Sequence, residues 1–224
     1  MILSYPISAF LEMTSLCNLN CRHCYNNSSE LSNEEMELTR LLSLIEELNE
    51  NGVLALTLSG GEPLLYKNLE KVLKFISENA KFRVALNTNG LLMNDININM
   101  LKEYGVNSIQ ISLDGLEKTH DYIRGSGTFS KILSNMKNCI KNGMKVKVGF
   151  TSNSINSKDL GELTNMIRAE GVDSLAIYRF VPTSKRDKSG ILPFDKHSLC
   201  SFSYDLLKLR EDYQTNLFPI YLNI

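Results

Sequence analysis

The sequence is short of three things, and each shortage removes a class of function. It has almost no excess charge: 24 Lys and Arg stand against 25 Asp and Glu, for a formal net charge of −1. No Lys/Arg-rich run is present, so neither nucleic acid nor an anionic membrane is the expected partner. It has no apolar run long enough to span a bilayer. The opening residues MILSYPISAF also lack the basic segment and long apolar stretch of a secretory signal, which makes the cytoplasm the expected location. Cysteine is too sparse and too unevenly placed for a disulfide framework. There are five, an odd number, and three of them fall between positions 17 and 24. Such a cluster in a cytosolic protein more often binds metal or does redox chemistry.

What is present is a regular alternation. With 224 residues, 43% apolar and 22% charged, the chain has the composition of an ordinary globular protein with one sizeable core. Apolar runs suited to strands occur at 7–13, 53–59, 83–88, 108–114, 144–151 and 174–181, and the last residues, LFPIYLNI, are strand-like. Apolar residues at helical spacing predict helices at 34–50, 68–79, 94–104, 128–142, 157–170 and 195–212. Ser32 and Glu35 fit a capping box for the first helix, and Asp195 fits an N-cap for the last. Six consecutive strand–helix units argue for parallel strands with right-handed crossovers. A complete eight-unit barrel needs roughly 250 residues. An open partial (β/α)6 barrel is therefore expected, with a doubly wound sheet as the alternative. Both place the active site at the C-terminal ends of the strands. The unusual polar and Gly-rich segments do follow the strands. They are the cysteine loop, Gly60-Gly61-Glu62-Pro63, Thr88-Asn89-Gly90, Asp114-Gly115, Thr151-Ser152-Asn153 and Pro182-Thr183.

Cys17, Cys21 and Cys24 lie in a polar, Asn-rich loop, which is no place for unrelated core cysteines. Soft thiolates so spaced suit an iron–sulfur cluster or zinc. A zinc site would use His23 as fourth ligand, but a residue adjacent to Cys24 converges poorly on the same tetrahedral ion. A [4Fe-4S] cluster usually takes four cysteines. Three leave one iron open to a small molecule. Cys139 and Cys200 fall in helices and read as buried hydrophobes.

The spacing Cys-x-x-x-Cys-x-x-Cys followed by Tyr25 resembles the signature of the radical S-adenosylmethionine superfamily. The resemblance covers about residues 7–183 and implies a [4Fe-4S] cluster on Cys17, Cys21 and Cys24. The open iron of that cluster binds S-adenosylmethionine, whose reductive cleavage yields a radical that abstracts a hydrogen atom from substrate. Ser59-Gly60-Gly61-Glu62-Pro63 resembles the family's motif for the methionine amino group. Taken alone, it is an ordinary strand–helix turn. Ser112, Asp114 and Arg124 resemble the branch containing SPASM-type peptide maturases and the molybdopterin-precursor enzyme. By that likeness Ser112 contacts ribose or carboxylate, Arg124 pairs with the carboxylate, Asp114 orders the loop and Tyr25 packs near adenine. Without it, residues 112–125 read as a solvated turn with a surface Arg. Thr88 and Asn89 sit where that family reads ribose or substrate, and Asn153 follows the fifth strand; each is equally well read as a turn residue. Arg179-Phe180-Val181-Pro182 resembles the end of the sixth strand in SPASM-type enzymes.

The sequence departs from that branch in lacking a Cys-rich C-terminal extension. The expectation is thus a single core domain over 1–224, with the auxiliary-cluster domain absent or truncated, and a further domain or partner chain completing the barrel. No catalytic residue is identified beyond the cluster. The expected partners are a peptide or small-molecule substrate and an external electron donor such as flavodoxin or ferredoxin. Three other readings remain: a non-catalytic binding module, an activating enzyme for a protein radical, and a simple electron-transfer protein.

Overall fold

The computed structural model describes residues 5–26, 28–29, 31–182, 190–214 and 220–223. Seven strands form one parallel sheet in strict sequence order: β1 Ser8–Glu12, β2 Ala55–Ser59, β3 Arg83–Thr88, β4 Ser108–Ser112, β5 Val146–Ser152, β6 Ser174–Arg179 and β7 Ile220–Asn223. A doubly wound sheet reverses its order at a switch point. This one never reverses, so the open partial barrel is the architecture, with β1 and β7 as its edges. The strand-like C-terminal segment adds a seventh strand to the six expected. Thr183 lies outside the described residues.

The helices are α1 Leu38–Glu50, α2 Leu69–Asn79, α3 Asp95–Glu103, α4 Glu117–Arg124, α5 Thr128–Lys141, α6 Leu160–Ala169 and α7 Lys196–Gln214. Two expectations at the helix ends diverge. Asp195 does cap α7, its Oδ1 accepting from Ser198 N at 2.8 Å. The capping box for α1 is not formed. Ser32 Oγ instead accepts from Ser29 N, Glu35 pairs with Lys67 at 2.9 Å, and α1 begins at Leu38 with no side-chain cap. Glu35 is drawn away because its backbone bridges Thr14 on the far side of the cysteine loop. A second correction concerns Cys200, which is exposed on α7, whereas Cys139 is buried as expected.

Alternation along the strands separates two environments. Leu11, Leu56, Leu58, Val84, Leu86, Ile109, Ile111, Val146, Val148 and Phe150 are buried in one core with the inner faces of the helices. The intervening residues, among them Phe10, Glu12, Ser59, Asn87, Gln110, Ser112, Gly149 and Thr151, line a cavity on the opposite, concave face. A closed barrel would fill that interior with branched side chains. Here it is left open, with polar side chains such as Asn87, Gln110 and Thr151 set among apolar ones.

Candidate functional site

The cavity has a volume of about 620 Å³ and sits at the C-terminal ends of β1–β6. Its wall contains all three clustered cysteines together with Tyr25, Gly60, Gly61, Ser112 and Arg124. Glu62 and Pro63 do not line it. Both are buried behind the wall. Thr88, Asn89, Arg179, Phe180 and Val181 also face the cavity. Asn153 does not line it. Its Oδ1 accepts from Ile155 N at 2.9 Å, which makes it a turn residue.

Backbone contacts fix the cysteine loop against its neighbours. Gly61 N donates to Thr14 O at 2.6 Å and Glu62 N to Leu16 O at 2.8 Å. The two glycines permit this approach. A Cβ on Gly60 would lie 2.4 Å from Thr14 O, and one on Gly61 would lie 2.2 Å from Leu16 O. From the other side, Arg22 N donates to Ile123 O and Arg22 Nε to Tyr122 O, both at 2.8 Å, while the guanidinium lies 4.3 Å from the Tyr122 ring centroid.

Two buried carboxylates organise the side chains behind the sulfurs. Asp114 Oδ2 accepts from Arg124 Nε at 2.5 Å and from His23 Nε2 at 2.8 Å, and its Oδ1 accepts from Thr151 N at 2.7 Å. Burial disfavours the Asp114 charge, but the Arg124 guanidinium and the hydrogen bonds from His23 and Thr151 outweigh it and hold the carboxyl well below its usual range. Arg124 Nη1 in turn points at Cys21 Sγ, 3.8 Å away. Residues 117–124 form α4, and Arg124 is largely buried, so the solvated-turn reading of this segment does not hold. The second carboxylate is Glu62. Its Oε1 accepts from Thr88 Oγ1 at 2.8 Å and Leu64 N at 3.2 Å, and its Oε2 accepts from Asn89 N at 2.8 Å. Burial pushes its pKa up to about 7 against these bonds.

Burial also raises the Cys17 thiol, opposed by a backbone hydrogen bond at Leu19, and pushes Cys21 up to about 11 against the pull of Arg124. Among the described residues no three His, Cys, Asp or Glu side chains stand close enough to hold a single metal ion. His23 is committed to Asp114. Neither observation favours the zinc alternative, which needs four donors on one ion. Three thiols around one cavity suit a multi-iron cluster, which spreads its ligands over several metals.

Glu12, Asn26, Gln110 and Tyr178 are residues of this site that escape a reading of motifs alone. Glu12 Oε1 accepts from the hydroxyl of the exposed Tyr25 at 2.5 Å. Asn26 Nδ2 donates to Glu12 Oε2 at 3.0 Å. On the concave wall Tyr178 Oη donates to Gln110 Oε1 at 2.9 Å. The Gln110 amide passes so near Gly149 that a Cβ there would lie 2.9 Å from it. The available signal is one polar residue at alternate positions of otherwise apolar strands, as in Gln110 of SIQIS.

Comparison with known proteins places this site in context. Residues 11–167 match the model of the Radical SAM superfamily. The Fe-coproporphyrin III synthase of Methanosarcina barkeri is 32% identical over 179 residues, spanning 79% of this chain and 45% of that protein. The sporulation killing factor maturation protein SkfB of Bacillus subtilis is 32% identical over 167 residues, 74% of this chain and 40% of that one. The fold also matches crystal structures of Streptococcus suis SuiB at 17% identity. Bound to S-adenosylmethionine, SuiB gives a TM-score of 0.81 over 99% of this chain and 51% of its own. Bound to its precursor peptide SuiA, it gives 0.83 over 100% and 50%. The chain thus spans about half the length of these relatives.

Proposed function

This chain belongs to the radical SAM superfamily, and on that footing we propose that it is the core of an enzyme that cleaves S-adenosylmethionine reductively and abstracts a hydrogen atom from a peptide substrate. The observation that carries the reading is the convergence of Cys17, Cys21 and Cys24 with Gly60, Gly61, Ser112 and Arg124 on one cavity. The donor set fits a [4Fe-4S] cluster: three thiols share one wall, and two of their sulfurs already face N–H donors from Asn89 and Arg124. When bound, such a cluster supplies one electron to the sulfonium of S-adenosylmethionine, breaking a carbon–sulfur bond to release methionine and a 5′-deoxyadenosyl radical.

The protein's own residues position the cosubstrate. Gly60 and Gly61 carry no side chain into the wall beside the cysteines, so their backbone is the surface offered to the methionine amino group. Glu62 is committed to Thr88, Leu64 and Asn89 and serves by holding that turn in place. Arg124 offers its guanidinium to the methionine carboxylate, with Nε clamped by Asp114 so that Nη1 faces the site. Ser112 offers its hydroxyl at the C-terminal end of β4, and Tyr25 offers a ring face at the rim.

The substrate class follows from the rest of the lining. Asn87, Gln110, Thr151 and Tyr178 are neutral hydrogen-bonding groups, the chemistry that peptide amides match. A substrate bearing several carboxylates would meet few cations there: Arg124 is already paired, and Arg179 is the other Arg of the lining. The relatives SkfB and SuiB, a maturation protein and a binder of a precursor peptide, point the same way. The electron would come from a small external protein such as flavodoxin or ferredoxin, in the cytoplasm, and a further domain or partner chain would complete the barrel wall. Among the described residues no helix is long and apolar enough to cross a membrane.

The test is electron paramagnetic resonance on anaerobically reconstituted, dithionite-reduced protein, with and without S-adenosylmethionine, followed by assay for 5′-deoxyadenosine. The expected result is a [4Fe-4S]⁺ signal that changes shape with the cosubstrate, together with released 5′-deoxyadenosine. A signal indifferent to S-adenosylmethionine would move the chain to electron transfer. A responsive signal without 5′-deoxyadenosine would move it to a binding module.

A further inference from the structure

Asn89 follows β3 in a position that a turn residue explains only in part. Its Oδ1 does the work of the turn, accepting from Leu91 N at 3.0 Å. Any Asp would serve equally there. Its Nδ2 does something else: it donates to Asn18 Oδ1 at 2.7 Å and points at Cys17 Sγ, 3.8 Å away. A carboxamide offers an acceptor to its own turn and a separate donor group to a neighbouring loop, which a carboxylate cannot. Asn89 is 6% exposed, so water does not compete for that donor.

Its backbone is fixed from behind. Asn89 N donates to Glu62 Oε2 at 2.8 Å, while the neighbouring Thr88 hydroxyl donates to Glu62 Oε1, also at 2.8 Å. Glu62 is fully buried and does not reach the cavity, and its carboxylate holds these two residues in place from behind. The chain of contacts runs from Glu62 through Asn89 to Cys17, within a site where Cys17 is read as a cluster ligand.

We propose that Asn89, positioned by Glu62, tunes the reduction potential of the cluster by donating an N–H bond to the Cys17 sulfur. This rests on the function proposed above. The physical reason is charge. A donor to a ligating sulfur stabilises the reduced cluster, which carries one more negative charge, more than the oxidised one. Removing the donor therefore makes the cluster harder to reduce, and replacing it with a negative charge does so further.

The experiment is a redox titration followed by electron paramagnetic resonance, with iron and sulfide content measured on each protein. The proteins are the wild type, Asn89→Ala and Asn89→Asp. The midpoint is expected to move negative in Asn89→Ala and further negative in Asn89→Asp, which keeps the turn acceptor. Equal midpoints across fully loaded variants would overturn the proposal. So would failure of both Asn89 variants to load iron while still folded, since Asn89 would then be structural. If Asn89→Asp alone fails to load, the shift of Asn89→Ala from the wild type decides. A wild-type protein that assembles no cluster would overturn the proposed function itself, and this inference with it.

Discussion

Replacing Asp114 with Asn changes one oxygen to an amide nitrogen and keeps the volume, so the loss it causes is electrostatic. In the wild type Arg124 Nε and His23 Nε2 converge on Oδ2, while Thr151 N occupies Oδ1. An Asn amide cannot satisfy this arrangement in either orientation, because its NH₂ must face at least one donor. The Asp114 side chain is 0% exposed, that of His23 5% and that of Arg124 10%, so water cannot take over as acceptor. Breaking a buried pair by removing one partner costs about 3–5 kcal/mol. For a domain of this size that is a fall in Tm on the order of 10 °C. Thermal and urea unfolding followed by circular dichroism measure it. Asp121→Asn is the control. Asp121 also accepts from backbone, Gly127 N at 2.6 Å and Phe129 N at 2.9 Å, but it caps a helix in a partly exposed position, where about 1 kcal/mol is expected. The pH dependence has a definite sign. The folded pKa of Asp114 lies below its unfolded value, so its stabilisation is present above the ordinary carboxylate range and lost as pH falls. The acid limb of the stability profile should therefore flatten in Asp114→Asn. A loss below about 1 kcal/mol, the scale of a solvated surface pair, would refute the claim that this network is a buried clamp.

Gly61→Ala places a Cβ 2.2 Å from Leu16 O and 2.7 Å from Ser15 O. Backbone must move, at about 1–3 kcal/mol, and iron loading should fall with the displaced cysteine loop. Normal Tm and normal iron per chain would contradict this. Glu62 has the opposite pH behaviour to Asp114. Burial, outweighing its hydrogen bonds, raises its folded pKa from 4.5 to about 7. Its contribution is thus present below the unfolded pKa and lost as pH rises through about 7. Urea midpoints for the wild type should decline over that window, and Glu62→Gln should remove the decline. Parallel profiles would show that Glu62 ionises normally. Cys21→Ala should abolish cluster assembly, checked by iron content and the absorption spectrum, and retained loading would remove Cys21 as a ligand.

The fold was legible because most helices and strands announce themselves locally, the short α4, Glu117–Arg124, being the helix that did not. The run RVALNT and its strand agree to the residue, and Leu69, Val72, Leu73 and Ile76 of the second helix are all buried. The architecture followed from the count and order of those elements. Less legible were the ends whose partners lie elsewhere. Glu35 resembles a capping residue in its own neighbourhood, but it is claimed by Lys67 and by a bridge to Thr14. Cys200 looked like a core residue, yet it faces outward from a long helix.

The site divides along the same line. The cysteines and the two glycines lie in short motifs, and position after the strands was enough to bring them together. Asp114 and Glu62 also lie in short motifs, but their work is invisible there, because it consists of bonds to His23, Arg124 and Thr151 and to Thr88 and Asn89. A buried carboxylate and a solvated turn carboxylate are the same letter. What separates them is whether donors from other elements arrive to meet the charge, and that depends on the tertiary structure. One tertiary feature was nevertheless written in the strands. Parallel strands buried on both faces read as continuous apolar runs, whereas Phe10, Glu12, Asn87, Gln110 and Tyr178 alternate with buried aliphatic residues. That alternation states that the barrel interior is not filled. A parallel barrel with an unfilled interior must either bind something there or leave its strands solvated on one face. The cysteine loop at the mouth of that interior favours the first.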